Sequence, residues 1–135
     1  MPRRREPAAL SARQIEIMNL VWSRGKATVA EVWQSMSAQR KVARNTIQTL
    51  MTRLEEKGWL GHFEDGPAFR YFARRRREAT LRGMLEQMVN TVFAGSADSL
   101  VMALLESRGV SPDEAERIRA MIAQVEASQA ERIAS

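Results

Sequence analysis

ARNTIQTLMTRLEEKGWL, residues 43–60, is the stretch on which the reading of this chain turns. At roughly 100° per residue, Ile47, Leu50, Met51 and Leu54 fall on one side of a helix. Asn45, Gln48, Thr49 and Thr52 fall on the other, with Thr46 and Arg53 on its flank. Gly58 supplies a stop and the next residues begin a strand. The apolar side can dock on a core. The opposite side is short, uncharged or cationic, and rich in hydrogen-bonding groups, which is the chemistry that reaches base edges and phosphates in a DNA major groove. A solvated face usually interleaves Glu and Lys. Here the acids Glu55 and Glu56 come only at the end, where they would repel phosphate. The N-terminal half is therefore the part expected to enter a groove.

Working upstream, Ser11 with Gln14 and Thr28 with Glu31 are capping-box patterns, each opening a helix. The first helix carries Ile15, Met18, Leu20, Val21 and Trp22 and ends near Gly25, with Leu10 placed to staple its entry. A short polar link follows. The second helix carries Val29, Val32, Trp33 and Met36 and ends around residues 37–39. Lys41 and Arg44 precede or enter the third. Three short helices with tight connections make a helix-turn-helix. Downstream, WLGHFE reads as a strand, Asp65-Gly66-Pro67 as a turn, and Phe69, Tyr71 and Ala73 alternating with Arg70 and Phe72 as a second strand. That hairpin is a wing with its tip at residues 64–68. Arg70 and His62 are placed to approach a phosphate backbone from it.

Arg74 to Arg77 form an unbroken cationic run that marks a module boundary. Beyond it the pattern is helical. Leu81, Met84, Leu85, Met88, Val89, Val92 and Phe93 form a wide stripe that Gly95-Ser96 breaks. A short helix follows with Leu100, Val101, Leu104 and Leu105, closed by Gly109. Ser111, Pro112 and Glu114 then open a last helix bearing Ala115, Ile118, Met121, Ile122 and Val125. Three such helices cannot make a generous core alone. The economical solution is a two-fold dimer in which each chain supplies half of one. The expected fold is mainly α. A basic arm at 1–10 precedes a winged helix-turn-helix with a small β-hairpin wing at 11–74, and a helical dimerisation region follows at 75–135. Leu81, Met84, Leu85, Met88, Val92, Leu100, Leu104, Ile118 and Ile122 are the expected dimer contacts.

Composition agrees with this division. Of the 135 residues 44% are hydrophobic and 27% charged, typical of a folded domain and contrary to general disorder. The formal charge is +5, from 21 Lys and Arg against 16 Asp and Glu, and the excess gathers at Arg3 to Arg5 and Arg74 to Arg77. Such clusters suit nucleic acid or an anionic membrane surface. No cysteine is present, so disulfides and thiolate metal sites are ruled out. MPRRREPAAL has no apolar core of a signal peptide, and no run approaches the ~20 apolar residues of a membrane span. A cytoplasmic protein without membrane insertion is expected. His62, the sole histidine, has no ligand set around it, and Glu64 with Asp65 lie in a turn. With neither a nucleophile elbow nor a Gly-rich phosphate loop, no enzyme, metal or cofactor is expected.

Three segments carry a family resemblance: IEIMNLVWSRGKATVAEV, NTIQTLMTRLEEKGWL and VFAGSADSLVMALLES. Together they resemble, in the same order over roughly residues 10–128, the penicillinase-repressor family, the BlaI/MecI/CopY group of winged-helix repressors. The resemblance implies a dimer that binds palindromic promoter DNA, often on TACA and TGTA half-site cores. Matched to the family motif, the recognition-helix contacts fall on Arg44, Asn45, Thr46, Gln48, Thr49 and Arg53. Thr46, Thr49 and Arg53 follow the family pattern, whereas Arg44, Asn45 and Gln48 occupy positions where members vary. In the β-lactam branch a membrane sensor-protease triggers a cut within the C-terminal helices. The matching bond joins Ala103 to Leu104, where the Asn-Phe pair of staphylococcal-type members is absent. The copper branch uses C-terminal cysteines, and this chain has none.

The expected function is a sequence-specific repressor acting as a homodimer on double-stranded promoter DNA, in which proteolysis of a β-lactam type relieves repression. In the winged helix, Gln48, Asn45 and Thr49 would read bases, and the arginines at the helix flank, wing (Arg70) and linker would neutralise phosphates. Two other readings stay open. A winged helix can serve as a protein-interaction module, and the C-terminal helices can enclose a small-molecule effector pocket.

Overall fold

The computed structural model describes residues 10–134, so the basic arm expected at 1–10 lies outside it apart from Leu10. The elements run α1 (Ala12–Arg24), β1 (Lys26–Ala27), α2 (Val29–Ser37), α3 (Arg44–Glu56), β2 (Leu60–Asp65), β3 (Ala68–Ala73), α4 (Arg77–Thr91), α5 (Ala97–Arg108) and α6 (Pro112–Ala134). They gather into two compact units that divide within α4, between Met84 and Leu85.

In the first unit both expected capping boxes form. The Ser11 hydroxyl accepts from the Gln14 N–H at 3.2 Å, and Gln14 Oε1 accepts from the Ser11 N–H at 2.9 Å. Thr28 and Glu31 repeat the exchange, both bonds at 3.1 Å. Each box satisfies helix-end donors that nothing inside the helix can reach, and a cap of this kind contributes about 1 kcal/mol. The apolar stripes then meet. Ile17, Met18 and Val21 of α1, Val32 and Met36 of α2, and Ile47, Met51 and Leu54 of α3 are buried with Ala27, Leu60 and Tyr71 from the strands. Val42 and Trp59 close the core from the connections. Trp33 donates its indole N–H to the Val42 carbonyl at 2.8 Å, which pins the turn between α2 and α3.

The wing is larger than a hairpin. β1, β3 and β2 lie side by side in that order, all antiparallel. Lys26 pairs with Phe72 and Ala27 with Tyr71, so the link after α1 supplies a third strand. Two residues are too few to show the period-2 alternation that marks a strand. The free edge of β3 recruits them. The hairpin itself pairs Leu60 with Ala73, Phe63 with Arg70 and Asp65 with Ala68. A Cβ on Gly61 would lie 2.6 Å from the Phe72 ring and 2.8 Å from Arg74 Nε. The bare glycine lets that ring lie across β2.

The exit from α3 sets where the wing stands. Gly58 takes φ +85°, its N–H bonds to the Glu55 carbonyl at 3.0 Å, and the Trp59 N–H bonds to the Leu54 carbonyl at 2.9 Å. This is a Schellman stop, in which a glycine in the left-handed region satisfies the last carbonyls and turns the chain. Trp59 is buried directly after it and β2 begins.

The second unit contains the rest of α4 with α5 and α6. Ser96 caps α5 by accepting from the Ser99 N–H at 3.2 Å, and Ser111 caps α6 by accepting from the Glu114 N–H at 3.1 Å. Neither α5 nor α6 contains a buried residue, and α4 contains only Thr80, in the first unit. Leu81, Met84, Leu100 and Ile118 are half-buried. Leu85, Met88, Val92, Leu104 and Ile122 are exposed, Val92 by 69% and Ile122 by 53%. Among the described residues no helix is long and apolar enough to cross a membrane.

Candidate nucleic-acid interface

The burial of Ile47, Met51 and Leu54 fixes the rotation of α3 and turns its other side outward. Arg44, Asn45, Thr46, Gln48, Thr49, Thr52 and Arg53 are all exposed. Asn45, Gln48, Thr49, Thr52, Arg53 and Glu56 line one open depression along the helix. Thr52 belongs to this row although the resemblance did not assign it a contact, and its place on the polar face was the signal for it. Glu56 marks the acidic limit of the row.

The threonines are partly engaged already. Thr49 Oγ1 donates to the Asn45 carbonyl and Thr52 Oγ1 to the Gln48 carbonyl, both at 2.9 Å. A hydroxyl that has given its proton to its own helix offers lone pairs and a methyl group outward. The Asn45 and Gln48 amides keep both donor and acceptor. One helix face thus combines amides suited to adenine edges, methyl groups suited to thymine, and Arg53 suited to phosphate or guanine.

The start of α3 differs from those of α1 and α2. Ala43 stands at the N-cap with no side-chain cap bond, and the first turn holds no acid. The Thr46 N–H turns back to the Ala43 carbonyl at 3.1 Å, the N–H groups of Arg44 and Asn45 are left to an outside acceptor, and the helix dipole favours an anionic one.

In the wing, the two residues expected to face phosphates have carboxylate partners. The His62 ring stands 4.7 Å from that of Phe69 and 5.4 Å from that of Tyr71, and its Nδ1 meets the Glu55 carboxylate of α3. Burial, and then the Glu55 charge, push the Tyr71 phenol up. Arg70 donates through Nε to Asp65 at the wing tip and through Nη1 to Glu31 of α2, the latter at 3.3 Å. Glu31 also meets Arg24 at 3.3 Å. The Thr28 N–H, then the Thr28 hydroxyl, hold the Glu31 carboxyl below its usual range, with Arg70 and Arg24 acting in the same direction. The hydrogen bond to Asp65 raises Arg70.

The arginine run is divided in its roles. Arg74 lies over the Phe72 ring at 5.7 Å and Arg75 over the Trp59 ring at 5.0 Å, both cation–π distances. The Arg75 carbonyl accepts from the Trp22 indole at 2.9 Å. These two residues cover aromatic surface at the base of the wing and tie the strand end to α1. Ala103 and Leu104 are exposed within α5.

Two capped helices, a third with an apolar and a polar side, and a three-stranded sheet whose hairpin stands beside it define a winged helix-turn-helix protein. Solved structures agree. The solution structure of the DNA-binding domain of the repressor BlaI is similar with a TM-score of 0.50 and 27% identity, over 54% of this chain and 89% of that one. Wild-type MarR from E. coli, in its apo form, shares the fold at a TM-score of 0.53 and 16% identity, over 86% of this chain and 77% of that one. The profile of the penicillinase repressor family matches residues 10–124, and the chain belongs to that family. Among relatives, the methicillin resistance regulatory protein MecI of Mammaliicoccus sciuri is 29% identical over 110 residues, 82% of this chain and 89% of its own length. The transcriptional regulator BlaI of Mycobacterium tuberculosis H37Rv is 30% identical over 118 residues, 86% of this chain and 84% of its own. The family is one of transcriptional repressors, not of enzymes.

Proposed function

We propose that this chain is a sequence-specific DNA-binding repressor, working in the cytoplasm as a homodimer on palindromic promoter operators. The observation that carries the reading is the outward side of α3. Its exposed row of amides, hydroxyls and arginines begins at an uncapped, acid-free helix start. Arg44, Asn45, Thr46, Gln48, Thr49 and Arg53 are the proposed contacts, with Gln48, Asn45 and Thr49 reading base edges and the arginines meeting phosphate. Arg70 joins them only by exchanging a carboxylate partner for a phosphate. Two copies of α3, held by one dimer, would fix the spacing of the half-sites.

The unburied apolar face of α4, α5 and α6 supports the dimer. Leu81, Met84, Leu85, Met88, Val92, Leu100, Leu104, Ile118 and Ile122 are its proposed contacts. Occupying the promoter would hinder polymerase. Relief would come from a cut at the Ala103–Leu104 bond, set off by a membrane sensor-protease. That bond lies inside α5, so the helix must open locally before a protease can take it in extended form.

The test is to pass sheared genomic DNA over the purified protein and sequence what is retained. A short inverted repeat upstream of genes is the expected result. Retention without any shared sequence, or none at low salt, would refute operator recognition.

A further inference from the structure

Between Lys57 and Arg74 the sequence contains one Lys or Arg, which is Arg70. Its guanidinium is committed twice, to Asp65 at the wing tip and to Glu31 at the start of α2. The tip itself carries Glu64 and Asp65 and no cation. A wing of this composition repels a phosphate backbone unless Arg70 is released. Glu31 has two other partners, the Thr28 N–H at 3.1 Å and Arg24 at 3.3 Å, so its contact with Arg70 is one of several. Asp65 has Arg70 as its one ion-pair partner among the described residues and sits in the exposed turn.

We propose that Asp65 is an intramolecular competitor for Arg70 that sets how strongly the wing grips DNA. Its carboxylate occupies the guanidinium edge that a phosphate would take, while Glu31 anchors the other end of Arg70 against α2. Arg70 is thereby neutralised within the free protein. DNA must displace one carboxylate to gain one phosphate contact, so the wing adds little non-specific affinity and leaves discrimination to α3. This inference rests on the DNA-binding reading above and assigns a positioning role to Asp65 within it.

The test uses the full chain and a mixed-sequence DNA duplex, titrated by fluorescence anisotropy over a series of salt concentrations. Asp65→Asn keeps the shape and hydrogen-bonding capacity of the turn residue and removes its charge. It is expected to tighten binding and steepen the dependence of log K on log salt by about 0.9, the value of one added phosphate contact. In an Arg70→Gln background the same substitution should leave the slope unchanged. An unchanged slope for Asp65→Asn alone overturns the proposal, and so does a steepening that persists without Arg70, since Asp65 would then act only through its own charge. Weaker binding by Asp65→Asn, with the winged helix still folded by circular dichroism, also overturns it. Absence of any salt-dependent binding by the unsubstituted protein would instead defeat the DNA-binding reading.

Discussion

The winged helix and the C-terminal helices use the same kinds of side chain to opposite ends. In the first unit, Ile17, Met18, Val21, Val32, Ile47, Met51, Leu54 and Leu60 are completely buried. In the second, Leu85, Met88, Val92, Leu104, Met121, Ile122 and Val125 lie half or more exposed, or close to it. Both sets repeat at helical spacing, and each unit has two helices with side-chain caps, α1 and α2 in the first and α5 and α6 in the second. The difference is geometric. Three short helices that pack on one another and on a small sheet enclose a core, whereas α5 and α6 bury no residue fully. An apolar face of this extent left uncovered marks an interaction surface. A second copy would cover it with the matching face.

The strongest test of this contrast is Ile122→Glu. If α6 pairs with its copy, an unpaired buried carboxylate costs about 3–5 kcal/mol, and sedimentation should show monomers with the winged helix intact. Unaltered dimers would remove this face from the interface. In the first unit, Leu54→Ala should cost about 2–5 kcal/mol through transfer and cavity terms. Urea unfolding of the winged helix would report it at every protein concentration, unlike the loss at Ile122. On the reading face, Gln48→Ala should change sequence preference by about 1–3 kcal/mol at one base position, and Arg53→Ala should weaken binding to all sequences alike. Identical binding-site selection profiles would exclude Gln48, and an unchanged salt slope would exclude Arg53 as a phosphate contact.

The three N-terminal helix starts supply a smaller test. Ala43→Ser would add the cap that α3 lacks and raise stability by about 1 kcal/mol. The same hydroxyl would take an N–H otherwise open to a DNA phosphate, so DNA affinity should fall while the melting temperature rises. A rise in both would show that DNA does not use this helix start. The smallest expected effect concerns acid. Glu31 titrates lower in the fold than in the unfolded chain. Its stabilisation is complete above the ordinary glutamate range and is lost as pH falls through the lowered value. Glu31→Gln should therefore flatten the acid side of a stability–pH curve, and an identical curve would show that the Thr28 hydrogen bonds, with the Arg70 and Arg24 charges, add nothing measurable through the Glu31 charge.

Much of the fold was legible because it depends on local chemistry. Ser11, Thr28, Ser111 and Gly58 act where their side chains or backbone freedom predict, and the hairpin follows Asp65-Gly66-Pro67. β1 was not legible, since two residues have no period and owe their strand conformation to the edge of β3. The polar row of α3 could be read from the position of Ile47, Met51 and Leu54. The contact of Arg70 with Glu31 and that of His62 with Glu55 could not, because Glu31 is 39 residues from Arg70 and Glu55 is brought to His62 by the turn at Gly58.

Periodicity, caps and turns by themselves determined which segments of this protein are helices, which face of each is apolar, and which residues of α3 point away from the core. These are properties of neighbours along the chain, decided by 3.6-residue and two-residue repeats and by local hydrogen bonds. Tertiary structure decided the third strand, the burial of one apolar set, the exposure of the other, and the contact of Arg70 with Glu31. Each depends on groups far apart in sequence coming within a few ångströms, and no local pattern encodes that distance.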